Sequence, residues 1–276
     1  MKKTALFVCL MLIGFVLTAC CLTFDHNIDV QMSTIPQETA FDIPTEPIIE
    51  PDIENIPEPV TQPPETMPEH SPYYIPGLSV EDVILYFNEI CLDAEFVTDG
   101  DPTRLQKWVV PIYYKIYQSP TQEDLACLNK FTSWLNTIPG FPGIFETDDP
   151  TVANLNIYFC SHQQMIDILG ENFVAMDGGV TFWYNGNDQI YRANICYRTD
   201  LDQYLRNSVI LEEIYNGLGP VQDTALREDS IIYTGFTQPQ SLTEIDELIL
   251  KLLYNPAMQC GMNSEACQRV IRSLYY

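Results

Sequence analysis

Apolar side chains recur at helical or strand spacing from about residue 79 to the end of the chain, and they do so nowhere for long between residues 21 and 76. In SVEDVILYFNEIC, Val80, Val83, Ile84, Phe87, Ile90 and Cys91 fall on one stripe of a 3.6-residue repeat, with Ser79 in front as an N-cap, which predicts a helix. KWVVPIYYKIY alternates instead, placing Trp108, Val110, Ile112, Tyr114 and Ile116 on one face. Pro111 assigns that strand to a sheet edge, because proline cannot donate to a central ladder. A second helix is predicted in TQEDLACLNKFTSWLNTI from Leu125, Leu128, Phe131, Leu135 and Ile138, and PGFPG ends it.

NLNIYFC, VTFWY and IYRANICYR read as strands, the last two joined as a hairpin through NGND. A helix from about 200 to 218 stops at Gly219 and Pro220. In SLTEIDELILKLLYNP, Leu242, Ile245, Leu248, Ile249 and Leu252 form a buried stripe, and Ser241 with Glu244 has the spacing of a capping box. SEACQRVIRSLYY closes the series as a last helix. Helices interspersed with short strands predict an α+β domain over residues 77–276, a short mixed sheet flanked by helices.

The chain ahead of that domain has two parts. Lys2 and Lys3 precede the apolar run ALFVCLMLIGFVLTA, which has signal-peptide length and is short for a membrane span of roughly 20 residues. The run ends in LTAC, which resembles the lipobox of bacterial lipoproteins. Residues 1–19 are thus expected to be a lipoprotein signal peptide, with Cys20 acylated. From Cys21 to Pro76 there are 11 prolines and 11 acidic residues with no Lys or Arg, too little apolar surface to offset chain entropy. Residues 20–76 are expected to be the lipidated cysteine and a disordered, self-repelling linker, on the order of 40 Å long as a coil. The protein is expected to be exported and held at the cell membrane, extracytoplasmic.

Charge narrows the partners. Thirteen Lys and Arg against 38 Asp and Glu give a formal net charge of −25, which repels phosphate backbones and removes nucleic acid as a partner. Membrane contact is expected through the lipid anchor alone, and an envelope or extracellular protein, peptide or glycan is the partner left. Of nine cysteines, six lie in the domain. Cys160 and Cys196 fall on the same face of a sheet if their strands are neighbours and form one disulfide candidate; Cys260 and Cys267, close in sequence, form the other.

The helix around 208–224, SVILEEIYNGLGPVQDT, keeps the spacing of H-E-x-x-H-x-x-G-x-x-H without a histidine. Glu212 and Asn216 stand at the two first ligand positions, Glu213 at the general base, Gly219 at the glycine and Gln222 at the third ligand. Their oxygens suit calcium or magnesium better than zinc. The domain's one histidine, His162, lies upstream in CSHQQ. No metal and no cofactor is expected; a hard divalent cation is the alternative that the oxygen donors leave. Asp223 can return toward Glu213 through the Gly219–Pro220 turn.

LEEIYNGLGPVQDT, REDSIIY and LTEIDELILKLLYNPAMQCGM together resemble the bacterial family called domain of unknown function 2927, and LQKWVVPIYYKIY and ANLNIYF fit it too. That family in turn is similar to zincins: EEIYNGLG stands where their histidine helix would be, and SIIY, with Ile232 and then Tyr233, resembles the turn beneath their metal. The resemblance implies a zincin-like fold with a cleft bordered by Glu212, Asn216, Gln222, Asp223 and Tyr233. It implies an inert binding module, or a divergent metal-dependent peptidase or hydrolase with Glu213 as general base.

Overall fold

The computed structural model describes residues 71–92, 104–235 and 237–276. The expected signal peptide, the acylated Cys20 and the linker as far as residue 70 lie outside the described residues. The elements follow the periodicities: helix α1 (Val80–Leu92), strands β1 (Lys107–Trp108) and β2 (Ile112–Gln118), helix α2 (Gln122–Leu135), strands β3 (Ile144–Glu146) and β4 (Leu155–Cys160). Helix α3 (His162–Leu169), strands β5 (Gly178–Tyr184) and β6 (Gln189–Arg198), and helices α4 (Gln203–Gly217), α5 (Glu244–Leu253) and α6 (Ser264–Tyr275) complete them.

The sheet runs in the order β1-β6-β4-β2-β3 with these contacts all parallel, and β5 adds to β6 as its antiparallel hairpin partner. This is a mixed sheet flanked by helices, as the alternation of elements predicts. The register sets the two faces. Ile112 and Tyr114 of β2, Leu155, Ile157 and Phe159 of β4, and Ala193, Ile195 and Tyr197 of β6 enter one core with residues of α1, α2, α4, α5 and α6. Cys160 and Cys196 point the other way and are covered by Met165 of α3 with Leu169 and Phe173.

Several expectations are corrected. Pro111 lies in the break between β1 and β2, so β2 is a central strand paired on both sides by β3 and β4, not an edge. Val110, in that break, is 44% exposed instead of sharing the inward face. The N-cap of α5 is Thr243, which forms its capping box with Asp246; Ser241 and Glu244 do not serve. Helix α3, for which no apolar stripe was read, begins at His162 with a capping box between Ser161 and Gln164. Residues 71–78, partly assigned to the linker, pack on the last helix: Ser71 Oγ donates to Leu274 O, Tyr74 meets Tyr275 edge-on, and Tyr275 Oη donates to Leu78 O at 2.6 Å.

Helix α4 is buried over most of its circumference, so its polar groups are answered by other elements. At its start, Arg206 Nε donates to Asp124 of α2 at 2.8 Å while its Nη1 reaches the carbonyls of Thr199 and Leu201. Asp124 also accepts from Thr121 N and Gln203 Nε2, both at 2.7 Å. At the other end, Trp108 Nε1 donates to Gly217 O and Tyr254 Oη to Leu218 O, occupying carbonyls the helix itself leaves over. Burial pushes the Asp124 pKa up, but the bonds from Arg206, Gln203 and Thr121 outweigh it and hold the carboxyl below its ordinary value.

Replacing Asp124 by alanine strands a buried guanidinium and is expected to cost about 3–5 kcal/mol in denaturant unfolding. The sign with pH follows from the lowered folded pKa. The contribution is complete above the unfolded value of about 3.9 and is lost as pH falls through the lower folded value.

Candidate functional site

Where α4 meets β5, the backbones approach closely because glycine permits it. A Cβ on Gly178 would stand 2.4 Å from Val209 Cγ1 and 3.1 Å from Glu213 Cγ, and on Gly217 it would meet Ile195 and Val180 at 3.4 Å. The next residue, Gly179, takes the same role on the other face, under Phe173 and Leu169. Beside this seam opens a cleft of about 680 Å³. Its walls include the unbroken run Gly178 to Phe182. Successive residues of a strand face opposite sides. A cleft touching five in a row therefore follows the edge of β5, along which no strand pairs among the described residues.

The floor is acidic. Asp177, Glu212, Glu213 and Asp223 all line the cleft, and among the described residues no Lys, Arg or His does. Burial first, then the charges of Asp223 and Asp177, raise the Glu212 pKa to about 8. Glu212 thus holds its proton at neutral pH, as expected when carboxylates share a site poor in water. One turn along, Asn216 lines the same cleft with a buried Oδ1 that has no hydrogen-bond partner among the described residues.

Tyr233 and Thr234 enter from a turn fixed by buried hydrogen bonds. Ser230 Oγ donates to Asp246 Oδ1 at 2.7 Å, Tyr86 Oη donates to Ser230 Oγ at 2.6 Å, and the Ile231 and Thr243 N–H groups both donate to Asp246 Oδ2. The Asp246 carboxylate therefore ties the first turn of α5 to the turn that presents Tyr233. Thr224 and Tyr233 are joined by an isolated parallel bridge, which brings the segment of Asp223 alongside.

Glu212, Glu213, Asn216, Asp223 and Tyr233 are thus gathered around one cleft. Gln222 is not part of its lining; its backbone N–H and that of Val221 both donate to Ile90 O, which turns this stretch toward α1. His162 sits at the start of α3 with its Nε2 2.8 Å from Val174 O, outside the lining. Asp177, Phe173 and Phe182 were not singled out from the sequence. The signal available was the doubled glycine before VTFWY, which marks a close backbone approach.

All six domain cysteines are free thiols. Cys160 and Cys196 do touch through a side-chain hydrogen bond, but the register sets Cys196 opposite Tyr158, two residues from Cys160. Cys267 is buried in the core alongside Cys91, whereas Cys260 Sγ faces Lys107 O at 3.7 Å. Among the described residues no three His, Cys, Asp or Glu side chains stand in a group that would hold a metal ion. The oxygen donors of Glu212 and Asn216 have the right chemistry for a hard cation without that grouping.

A glutamate with a folded pKa raised to about 8 favours the folded state at low pH, and that stability is lost as pH climbs from about 4.3 through 8. Glu212→Gln is expected to flatten the fall in melting temperature between pH 6 and pH 9 and to leave the variant the more stable protein at pH 9. Thermal unfolding at the two pH values checks this. Gly178→Ala is expected to cost about 1–3 kcal/mol, because its methyl group would crowd Val209 and Glu213 of α4 and the Cys196 carbonyl of β6.

No curated protein matches the sequence. A family model does match, over residues 81–273, a span that runs from the first turn of α1 into the last turn of α6 and includes the whole cleft. The chain belongs to the family described as protein of unknown function, DUF2927.

Proposed function

We propose that the domain is a non-catalytic binding module of the cell envelope, exported and held to the membrane by a lipid on Cys20, with the cleft beside α4 and β5 as its binding site. The observation that carries the binding site is its charge: four acidic side chains line it and, among the described residues, no Lys, Arg or His does. An occupant bearing an amine or guanidinium relieves the repulsion from Asp223 and Asp177 that adds to burial in raising the Glu212 pKa, and it can donate to Asn216 Oδ1. The aromatic rings of Phe173, Phe182, Tyr184 and Tyr233 supply apolar walls for its carbon skeleton. The anchor rests on Lys2, Lys3, the apolar run and LTAC. The zincin-like descent is supported by the meeting of the EEIYN helix and the SIIY turn at one cleft.

Titration calorimetry of the purified protein with a lysine- and arginine-bearing tripeptide is expected to give saturable binding that weakens at least about tenfold in Asp223→Asn. Absence of binding, or equal affinity in the variant, ends this reading. Cys20→Ala is expected to abolish palmitate labelling and to release the protein from the membrane fraction.

A second reading is favoured by one observation. Glu212 holds a proton at neutral pH close to Asp223, the arrangement of a general acid beside a carboxylate, with Glu213 as the base of a divergent, metal-assisted hydrolase. Peptidase activity that appears with added calcium, magnesium or zinc and disappears in Glu213→Gln would replace the non-catalytic reading by this one.

A further inference from the structure

The sheet face opposite the main core is covered by α3 only at its end near Cys160 and Cys196. On the rest, Tyr113, Phe145, Trp183 and Arg192 are exposed, Lys115, Tyr117, Asn156 and Tyr158 are half-buried, and Asn194 is buried. By the strand register, β2 projects Tyr113, Lys115 and Tyr117 from this face, β4 projects Asn156 and Tyr158, and β6 with β5 projects Asn194, Arg192, Thr181 and Trp183. Phe145 of β3 lies beside Tyr113 with ring centroids 6.0 Å apart. Phe145 is 48% exposed and Trp183 40%.

Two properties distinguish this face from the rest of the molecule. The first is charge. Acidic residues outnumber basic ones 38 to 13 in the chain, yet every charged side chain that the strands project here is a cation: Lys115, Arg192 and, at the α3 end, Arg198. Arg198 is held by Asp177 and Asp200. Lys115 and Arg192 are in no ion pair among the described residues: Lys115 Nζ donates to the carbonyl of Asp148 at 2.7 Å, and Arg192 lies 5.0 Å from the Trp183 ring centroid. The second is a set of flat rings and amides around the two cations: the amides lie on the line from Lys115 toward Arg192, the stacked rings beyond Lys115. Tyr117 and Tyr158 stack at 4.7 Å and 15° across neighbouring strands, and Asn156 Nδ2 donates to Asn194 Oδ1 at 3.0 Å.

We propose that this face binds a polysaccharide whose sugar rings carry carboxylates. Sugar rings lay their C–H faces on aromatic rings, as Tyr113, Tyr117 and Trp183 offer them, and hydroxyls exchange hydrogen bonds with amides of the Asn156–Asn194 kind. A guanidinium stacked on an indole keeps its edge free for two parallel bonds to a carboxylate. Lys115 and Arg192 sit two strands and two residues apart, about 12 Å at the backbone, so a chain of sugars bridges them where a single ring does not. The face adjoins the acidic cleft along β5, where Thr181 borders both, and its ligand has the opposite charge.

The test is affinity electrophoresis and calorimetry of the purified protein with polygalacturonate, alongside its methyl ester, a polyphosphate and a single-stranded oligonucleotide. Polygalacturonate is expected to bind, the methyl ester at least about tenfold more weakly, and the Lys115→Gln, Arg192→Gln double variant to lose a similar factor with its circular dichroism unchanged. Trp183→Ala is expected to weaken binding as well. No retardation by polygalacturonate, equal binding of its ester, an unaffected double variant, or equal binding of the polyphosphate or oligonucleotide would each overturn the proposal.

Discussion

A buried helix must have its polar groups answered from outside, and α4 shows how much of this domain is arranged around that constraint. Asp124 reaches in from α2 to neutralise Arg206 at one end; Trp108 and Tyr254 arrive from β1 and from the end of α5 to occupy carbonyls at the other. Three separate parts of the chain are thereby held to one helix. Because α4 cannot shift without breaking these bonds, the carboxylates in its last two turns stand at fixed positions beside β5.

The acidity of the cleft follows from that fixity. A flexible surface would let Glu212 turn away from Asp223 and Asp177 into water. On a helix clamped at both ends it stays where desolvation and like charge act together, and the proton it retains is the result. Gly178 completes the arrangement, since any side chain there would wedge β5 off α4 and open the site.

Helical stripes were legible in α1, α2 and α5, because each buries one face, whereas α4, buried over most of its circumference, was marked by its motif spacing and the Gly219–Pro220 stop. Helix α3 escaped, being only eight residues long and marked by a polar capping box instead of a long stripe. Pro111 misled for a different reason: the missing N–H falls in a break between two short strands, so no ladder is harmed and β2 remains central. Of the site, the Glu212–Asn216 spacing was readable because one helical turn sets it. Gln222 was misplaced because beyond Gly219, at φ 133°, the path of the chain is governed by bonds to Ile90 O that no local spacing encodes. Asp177 and Phe173 come from a segment that only the sheet topology brings near.

The contact between residues 71–78 and α6 has a mechanical meaning. The two chain segments joined there are about 200 positions apart: Ser71 with Leu274, and Tyr275 with Leu78. Such a closure is among the slowest to form, because the intervening polypeptide must be largely arranged before the ends find one another. Any pull on the polypeptide at Ser71 is borne first by this latch, so its rupture would precede the unravelling of the sheet.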